Sequence, residues 1–102
     1  MAIVAVSISP LGEGTSVSEQ VAAAVAVVRA QDRVRHRLDS MFTTLEGDID
    51  DIFALIREMQ EAVFATGAGR VSTVIKIDDR REGAATMEAK VQAVEDVLAD
   101  KS

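Results

Sequence analysis

The chain contains no cysteine, no tryptophan and no tyrosine, and it has a single proline and a single histidine. Without cysteine there are no disulfides, no thiolate metal ligands and no sulfur nucleophile, a composition that suits a reducing compartment. The only aromatics are Phe42, Phe53 and Phe64, so valine, isoleucine, leucine and alanine must fill the interior. A lone His36 cannot build a two-histidine metal site, and no HxxxH spacing exists, so no metal is expected. His36 reads instead as a partly buried strand residue. The formal net charge of −6 opposes binding to phosphate backbones. The one basic cluster, Arg33 to Arg37, is short and carries no interleaved aromatics, so no nucleic-acid partner is expected. The opening run "MAIVAVSISP" lacks a basic leader and is too short to span a bilayer. A cytoplasmic protein with no membrane partner is the expectation.

What is present is a chain of 102 residues, 48% hydrophobic and 27% charged, which fits one globular domain over residues 1–102. A core of this size gains from self-association. Ile3 to Ser9 alternates, with Val4, Val6 and Ile8 on one face, and period two predicts a strand. Pro10, Gly12 and Gly14 end it. Ser16 and Glu19 have capping-box spacing, and Val17, Val21, Ala24, Val25 and Val28 then recur at helical intervals. Val34, His36 and Leu38 alternate with Arg35, Arg37 and Asp39, giving a second strand with a charged face. Asp39 and Ser40 suit a turn. Met41 to Glu46 forms a third strand, antiparallel to the second.

Asp48 is placed to cap a helix whose apolar stripe is Ile49, Ile52, Phe53, Ile56, Met59 and Val63. Gly67 is the expected terminal glycine. Arg70 to Ile77 is β-branched and predicts a fourth strand. Thr86 can cap a last helix that buries Met87, Val91, Val94 and Leu98. The order β-α-β-β-α-β-α is an α+β, ferredoxin-like pattern with an added C-terminal helix. Right-handed crossovers put both main helices on one face of a four-stranded antiparallel sheet. The other face must be covered by a partner or by the last helix.

No nucleophile-base pair converges in this layout, so no catalytic residues are assigned and an enzyme is not expected. Leu11 to Gly14 precedes a helix but lacks a phosphate-loop pattern, and Glu13 would repel an anion. Asp78 and Asp79 are strand neighbours and point apart, so they cannot act as a carboxylate pair. Arg80 and Arg81 belong to a charged loop that could pair with carboxylates of another subunit. Ser7 and Ser9 share one face of the first strand, and Thr44 and Glu46 share one face of the third. The first and third strands are central neighbours, so these polar groups either meet on one patch or are ordinary strand-end residues.

"VSISPLGEGTSVSEQVA", "MFTTLEGDIDDIF" and the "RVSTVIKIDDRR" that follows resemble the small thiamine-binding, YkoF-like family of ferredoxin-like proteins. The likeness runs over nearly the whole chain. It implies non-catalytic binding of thiamine or its hydroxymethylpyrimidine part, no resident cofactor, and a homotetramer built from dimers. On this resemblance the ligand-binding residues are Ser7, Ser9, Thr43, Thr44 and Glu46, with Met41 and Phe42 as apolar contacts. Thr43 and Glu46 fall on opposite faces of a regular strand, so a bulge or the turn at Gly47 must bring them together. Where the family pattern has Pro-Met-Gly, this chain has Ser40-Met41-Phe42, and where it has Met-His-Glu, this chain has Met59-Gln60-Glu61. The alternative is a structural or regulatory oligomeric protein with no small ligand.

Overall fold

The computed structural model describes residues 1–12, 17–83 and 86–101. Its elements run β1 (Ala2–Pro10), α1 (Ser18–Arg29), β2 (Arg35–Leu38), β3 (Thr43–Gly47), α2 (Ile49–Phe64), β4 (Val71–Asp79) and α3 (Met87–Asp100). The four strands form one antiparallel sheet in the order β2-β3-β1-β4. This is the ferredoxin-like α+β arrangement, with α3 added after the last strand.

Alternation along β1 decides which face is covered. Ala2, Val4, Val6 and Ile8 are at most 6% exposed, while Ile3, Ala5, Ser7 and Ser9 are half-buried on the other side. α1 and α2 lie over the first face. Ala24 and Val28 of α1, and Ile52, Leu55, Ile56, Met59 and Val63 of α2, complete the core with Leu45 of β3. Asp48 caps α2, its Oδ1 accepting from the N–H of Asp50 at 3.0 Å and of Asp51 at 3.3 Å. Gly67 adopts a φ of +104°, a left-handed turn that favours a residue without a Cβ, and its N–H donates to the Phe64 carbonyl. α1 begins at Ser18 after Val17, which makes no side-chain cap. The expected cap at Ser16 lies outside the described residues.

Several expectations are corrected. Phe53 is 48% exposed, because it sits on the flank of α2 rather than over the sheet, and Leu55 takes its place in the core. His36 is exposed, because α1 leaves the helix-side face of the edge strand β2 uncovered. β3 begins at Thr43, so Met41 and Phe42 belong to the turn after β2 and not to the strand. β4 runs Val71–Asp79, past the expected end at Ile77, so the strand takes in Asp78 and Asp79. The largest difference concerns α3. Met87 is buried, but Val91, Val94 and Leu98 are 50%, 59% and 55% exposed. The helix is tied down at its first turn and leaves the body, so its apolar stripe has no sheet beneath it. The molecule is accordingly long in one direction, 50 Å against 30 and 19 Å.

Candidate functional site

β1 is longer than its partner β3. Val6 pairs with Thr43, and there the pairing stops. Beyond it the chain before β3 turns away, with the Asp39 N–H donating to the Phe42 carbonyl at 3.0 Å. In an antiparallel ladder, alternate residues aim their peptide groups at opposite neighbours. The Leu11 N–H donates to Arg70 across the β4 side, and Arg80 donates to the Met1 carbonyl. Odd-numbered residues of β1 therefore bond to β4, and even-numbered ones face β3. Ile8 faces the side where β3 is missing. Among the described residues its N–H and C=O have no strand partner, which leaves a short free edge within the sheet.

A slot of about 210 Å³ opens at this edge. Val6 and Ile8 make its floor, Val21 and Ala24 of α1 its roof, and Asp39 to Thr43 its side. Met59 of α2 closes the back. Three kinds of polar group reach it. The Thr43 side chain is on the helix face, 7% exposed, and its hydroxyl makes no hydrogen bond among the described residues. Asp39 presents a carboxylate of which Oδ1 accepts from the Ser40 N–H at 2.8 Å, leaving Oδ2 available. The third is the Ile8 peptide. The rest of the wall is aliphatic, with Phe42 half-buried against it and Met41 77% exposed at the rim. A flat ring with a donor-acceptor edge fits such a slot, because apolar walls hold the faces and a few polar groups fix the orientation.

Of the sequence-derived residues, the structure gathers Ser7, Ser9, Met41, Phe42 and Thr43 around this slot. Ser7 and Ser9 line it along the β1 edge, although their side chains alternate to the open face. Thr44 is not among the lining residues. It pairs with Ala5 on the open face. Glu46 is also on that face, toward the opposite end of the sheet, paired with Ile3. The register of β3 is unbroken, so no bulge brings Glu46 to Thr43.

Glu46 is committed elsewhere. It is 2% exposed, and its Oε1 accepts from the Met87 N–H at 2.7 Å, at the first turn of α3. Its Oε2 accepts from Arg35 at 2.6 Å, and the same guanidinium holds both oxygens of Glu88 at 3.1 and 3.0 Å. Thr86 caps the same helix end by accepting from the Ala89 N–H. Lys90 pairs with Asp78. Hydrogen bonds to Glu88 and Glu46 raise the Arg35 pKa, the Arg35 bond lowers that of Glu88, and the Lys90 bond lowers that of Asp78. A carboxylate at a helix N-terminus also complements the helix dipole. The Glu46 constellation is the root of α3.

Asp39 is the slot residue that sequence reasoning missed. As the first residue of an Asp-Ser turn it looked purely conformational, and only the early end of β3 puts it beside a cavity. Among the described residues no cluster of His, Cys, Asp and Glu is placed to hold a metal, and no helix is long and apolar enough to cross a membrane.

The fold is shared with known proteins. The profile of the family described as "Thiamine-binding protein" matches residues 4–95. The UPF0045 protein YqgV of Bacillus subtilis is 41% identical over 98 residues, covering 92% of this chain and 94% of its own. The UPF0045 protein Mb1933 of Mycobacterium bovis is 42% identical over 97 residues, covering 94% and 93%. The crystal structure of the hypothetical protein MJ1052 from Methanocaldococcus jannaschii superimposes with a TM-score of 0.83 at 36% identity, over 92% of this chain and 95% of that one. With the profile spanning nearly its whole length, the chain belongs to the thiamine-binding protein family.

Proposed function

We propose that the slot at the free edge of β1 binds the aminopyrimidine ring of thiamine, or free hydroxymethylpyrimidine, without chemical change. The observation that carries this reading is a run of unpaired polar groups in an apolar recess: the Ile8 peptide, the Thr43 hydroxyl and the Asp39 carboxylate. An aminopyrimidine edge has an amino donor beside a ring-nitrogen acceptor, the complement of a strand's C=O and N–H. Thr43 serves either polarity, since a hydroxyl both donates and accepts. The slot volume of about 210 Å³ suits one substituted ring and not all of thiamine. The thiazolium then lies at the mouth, where its positive charge is favoured by Asp39. The membership in a thiamine-binding family supports the ligand class.

Calorimetric titration with thiamine and, in parallel, with hydroxymethylpyrimidine tests this. Saturable binding at micromolar affinity or better, about −8 kcal/mol, is expected for at least one ligand. No heat with either would set the reading aside.

A second reading, an assembly protein without a small ligand, draws on Val91, Val94 and Val97, each half-exposed or more on α3. Self-association by itself is compatible with ligand binding; only the lack of a ligand separates the two readings. We infer self-association as well, as a homotetramer built from dimers, which light scattering would register near four times the 10.9 kDa chain mass. A clean monomer would contradict the assembly reading and leave ligand binding untouched.

A further inference from the structure

The slot is not closed on the side of α1. A second recess, of about 770 Å³, runs along the outer side of that helix, from Val17 past Ala22 and Ala26 to Arg29 and Ala30. Val17, Val21, Val25, Leu38 and Ser40 line both recesses. The two are therefore one trough, with the slot as its inner end. We infer that the trough takes a phosphate ester of thiamine, with the pyrimidine ring in the slot and the phosphate held by Arg29. The inference deepens the ligand reading and rests on it.

Three observations carry the ligand out of the slot toward Arg29. The first is space. About 210 Å³ accommodates one substituted ring, so the thiazolium and its hydroxyethyl arm must continue outside, and the shared wall leads them along α1. The second is the order of charges. Among the described residues that line the trough, only Asp39 and Arg29 are charged. Asp39 lies between Leu38 and Ser40, which both recesses share, so it marks the junction; Arg29 lies at the far end. A thiamine phosphate runs from a neutral ring through a cation to an anion, so each of its charges meets the opposite one. Free thiamine leaves Arg29 unused. A hydrocarbon chain ending in a carboxylate would satisfy Arg29 and the aliphatic walls, but it would carry no cation for Asp39. The third is reach. Arg29 is one helical turn beyond Val25, about 6 Å along the axis. Side chains on a helix lean toward its N-terminus, which carries the guanidinium back along the groove toward the junction. A cation in the last turn of α1 also suits the helix dipole, but that leaves its donors free. Arg29 is exposed, and its side chain makes no hydrogen bond or ion pair among the described residues.

Calorimetric titrations at one ionic strength compare thiamine, thiamine monophosphate, thiamine diphosphate and inorganic phosphate. At least one ester is expected to bind about fivefold more tightly than thiamine, the gain that one partly exposed charge pair supplies. Inorganic phosphate alone should give no saturable heat over the same range, because it lacks the ring that the slot holds. In Arg29→Gln the preference for the ester should shrink below about twofold, and Arg29→Lys, which keeps the charge, should retain part of it. Thiamine binding as tightly as both esters overturns the inference and leaves the ligand reading standing. An undiminished preference in Arg29→Gln overturns it as well, since the phosphate is then held elsewhere. Inorganic phosphate binding as tightly as the ester would show an anion site unconnected with the slot, which also overturns it. Heat from none of the four compounds would set aside the ligand reading itself, and this inference with it.

Discussion

The two ends of the central strand pair behave in opposite ways. At one end, Glu46 is buried, and both of its oxygens are taken, one by the Met87 N–H and one by Arg35. At the other, Thr43 is nearly as buried, and its hydroxyl makes no hydrogen bond among the described residues. Both residues sit on the same five-residue strand. No buried side-chain oxygen or nitrogen among the described residues lacks a partner, so the Thr43 hydroxyl is open to the slot and to solvent, where a ligand can reach it. A buried polar group with every valence used is structure. The comparison separates the proposed ligand end from the root of α3 within a few residues, although the residue types alone suggest one combined site.

The largest effect expected is from closing the slot. Ala24→Phe adds a ring where Ala24, 3% exposed, forms the roof. Thiamine or hydroxymethylpyrimidine binding should fall below detection in calorimetry, and overpacking should cost about 1–3 kcal/mol of stability. Retained binding would place the ligand elsewhere. At the root of α3, Glu46→Ala removes the acceptor for the Met87 N–H and one partner of Arg35. Stability to urea should fall by about 2 kcal/mol, and α3 should become protease-sensitive, while ligand affinity changes less than twofold. A large loss of affinity with intact stability would reverse the assignment of the two ends.

Thr43→Val keeps the shape and removes the hydroxyl. Affinity should drop about five- to tenfold, the equivalent of roughly 1 kcal/mol, with little change in stability because no internal bond is lost. Asp39→Asn should weaken thiamine more than neutral hydroxymethylpyrimidine, since only thiamine carries the thiazolium charge. Equal losses for both ligands would move the thiazolium away from Asp39.

The smallest effect is that of pH on the α3 root. Glu88 and Asp78 have pKa values lowered by Arg35 and Lys90 respectively. A carboxylate with a folded-state pKa below its unfolded one stabilises fully above the unfolded value, and loses that contribution as pH falls through the folded one. Loosening of α3 should thus begin below about pH 4 and not near neutrality. Hydrogen exchange at Ala89 and Lys90 against pH would show it. Both pairs are solvent-exposed, so the change is modest and screened by salt.

The strands and α2 were legible in the sequence because burial imposes a period. Val4, Val6 and Ile8 alternate under a helix layer, and Ile52, Ile56, Met59 and Val63 recur on one helical face. The same reasoning failed for α3 for a physical reason. Met87, Val91, Val94 and Leu98 show that a helix needs an apolar partner, but periodicity does not say whether that partner is in the same chain. Phe53 misled in the same way, as an apolar residue at helical spacing on a flank where the sheet ends. For the site, Ser7, Ser9, Met41, Phe42 and Thr43 do gather at one cavity. Glu46 joined that group through the family resemblance, and its position on the opposite face, already implied by strand alternation, is what the unbroken register enforces. Asp39 was invisible as a site residue because its role depends on where β3 starts, a boundary that a run of Met41, Phe42 and Thr43 does not mark.

Amide chemical-shift mapping during a thiamine titration tests the central claim most directly. The account predicts perturbations concentrated at Val6 to Ser9 and at Asp39 to Thr43, with Glu46, Met87 and Glu88 unmoved. Shifts centred on Glu46 and the first turn of α3, with the Ile8 edge silent, would contradict it.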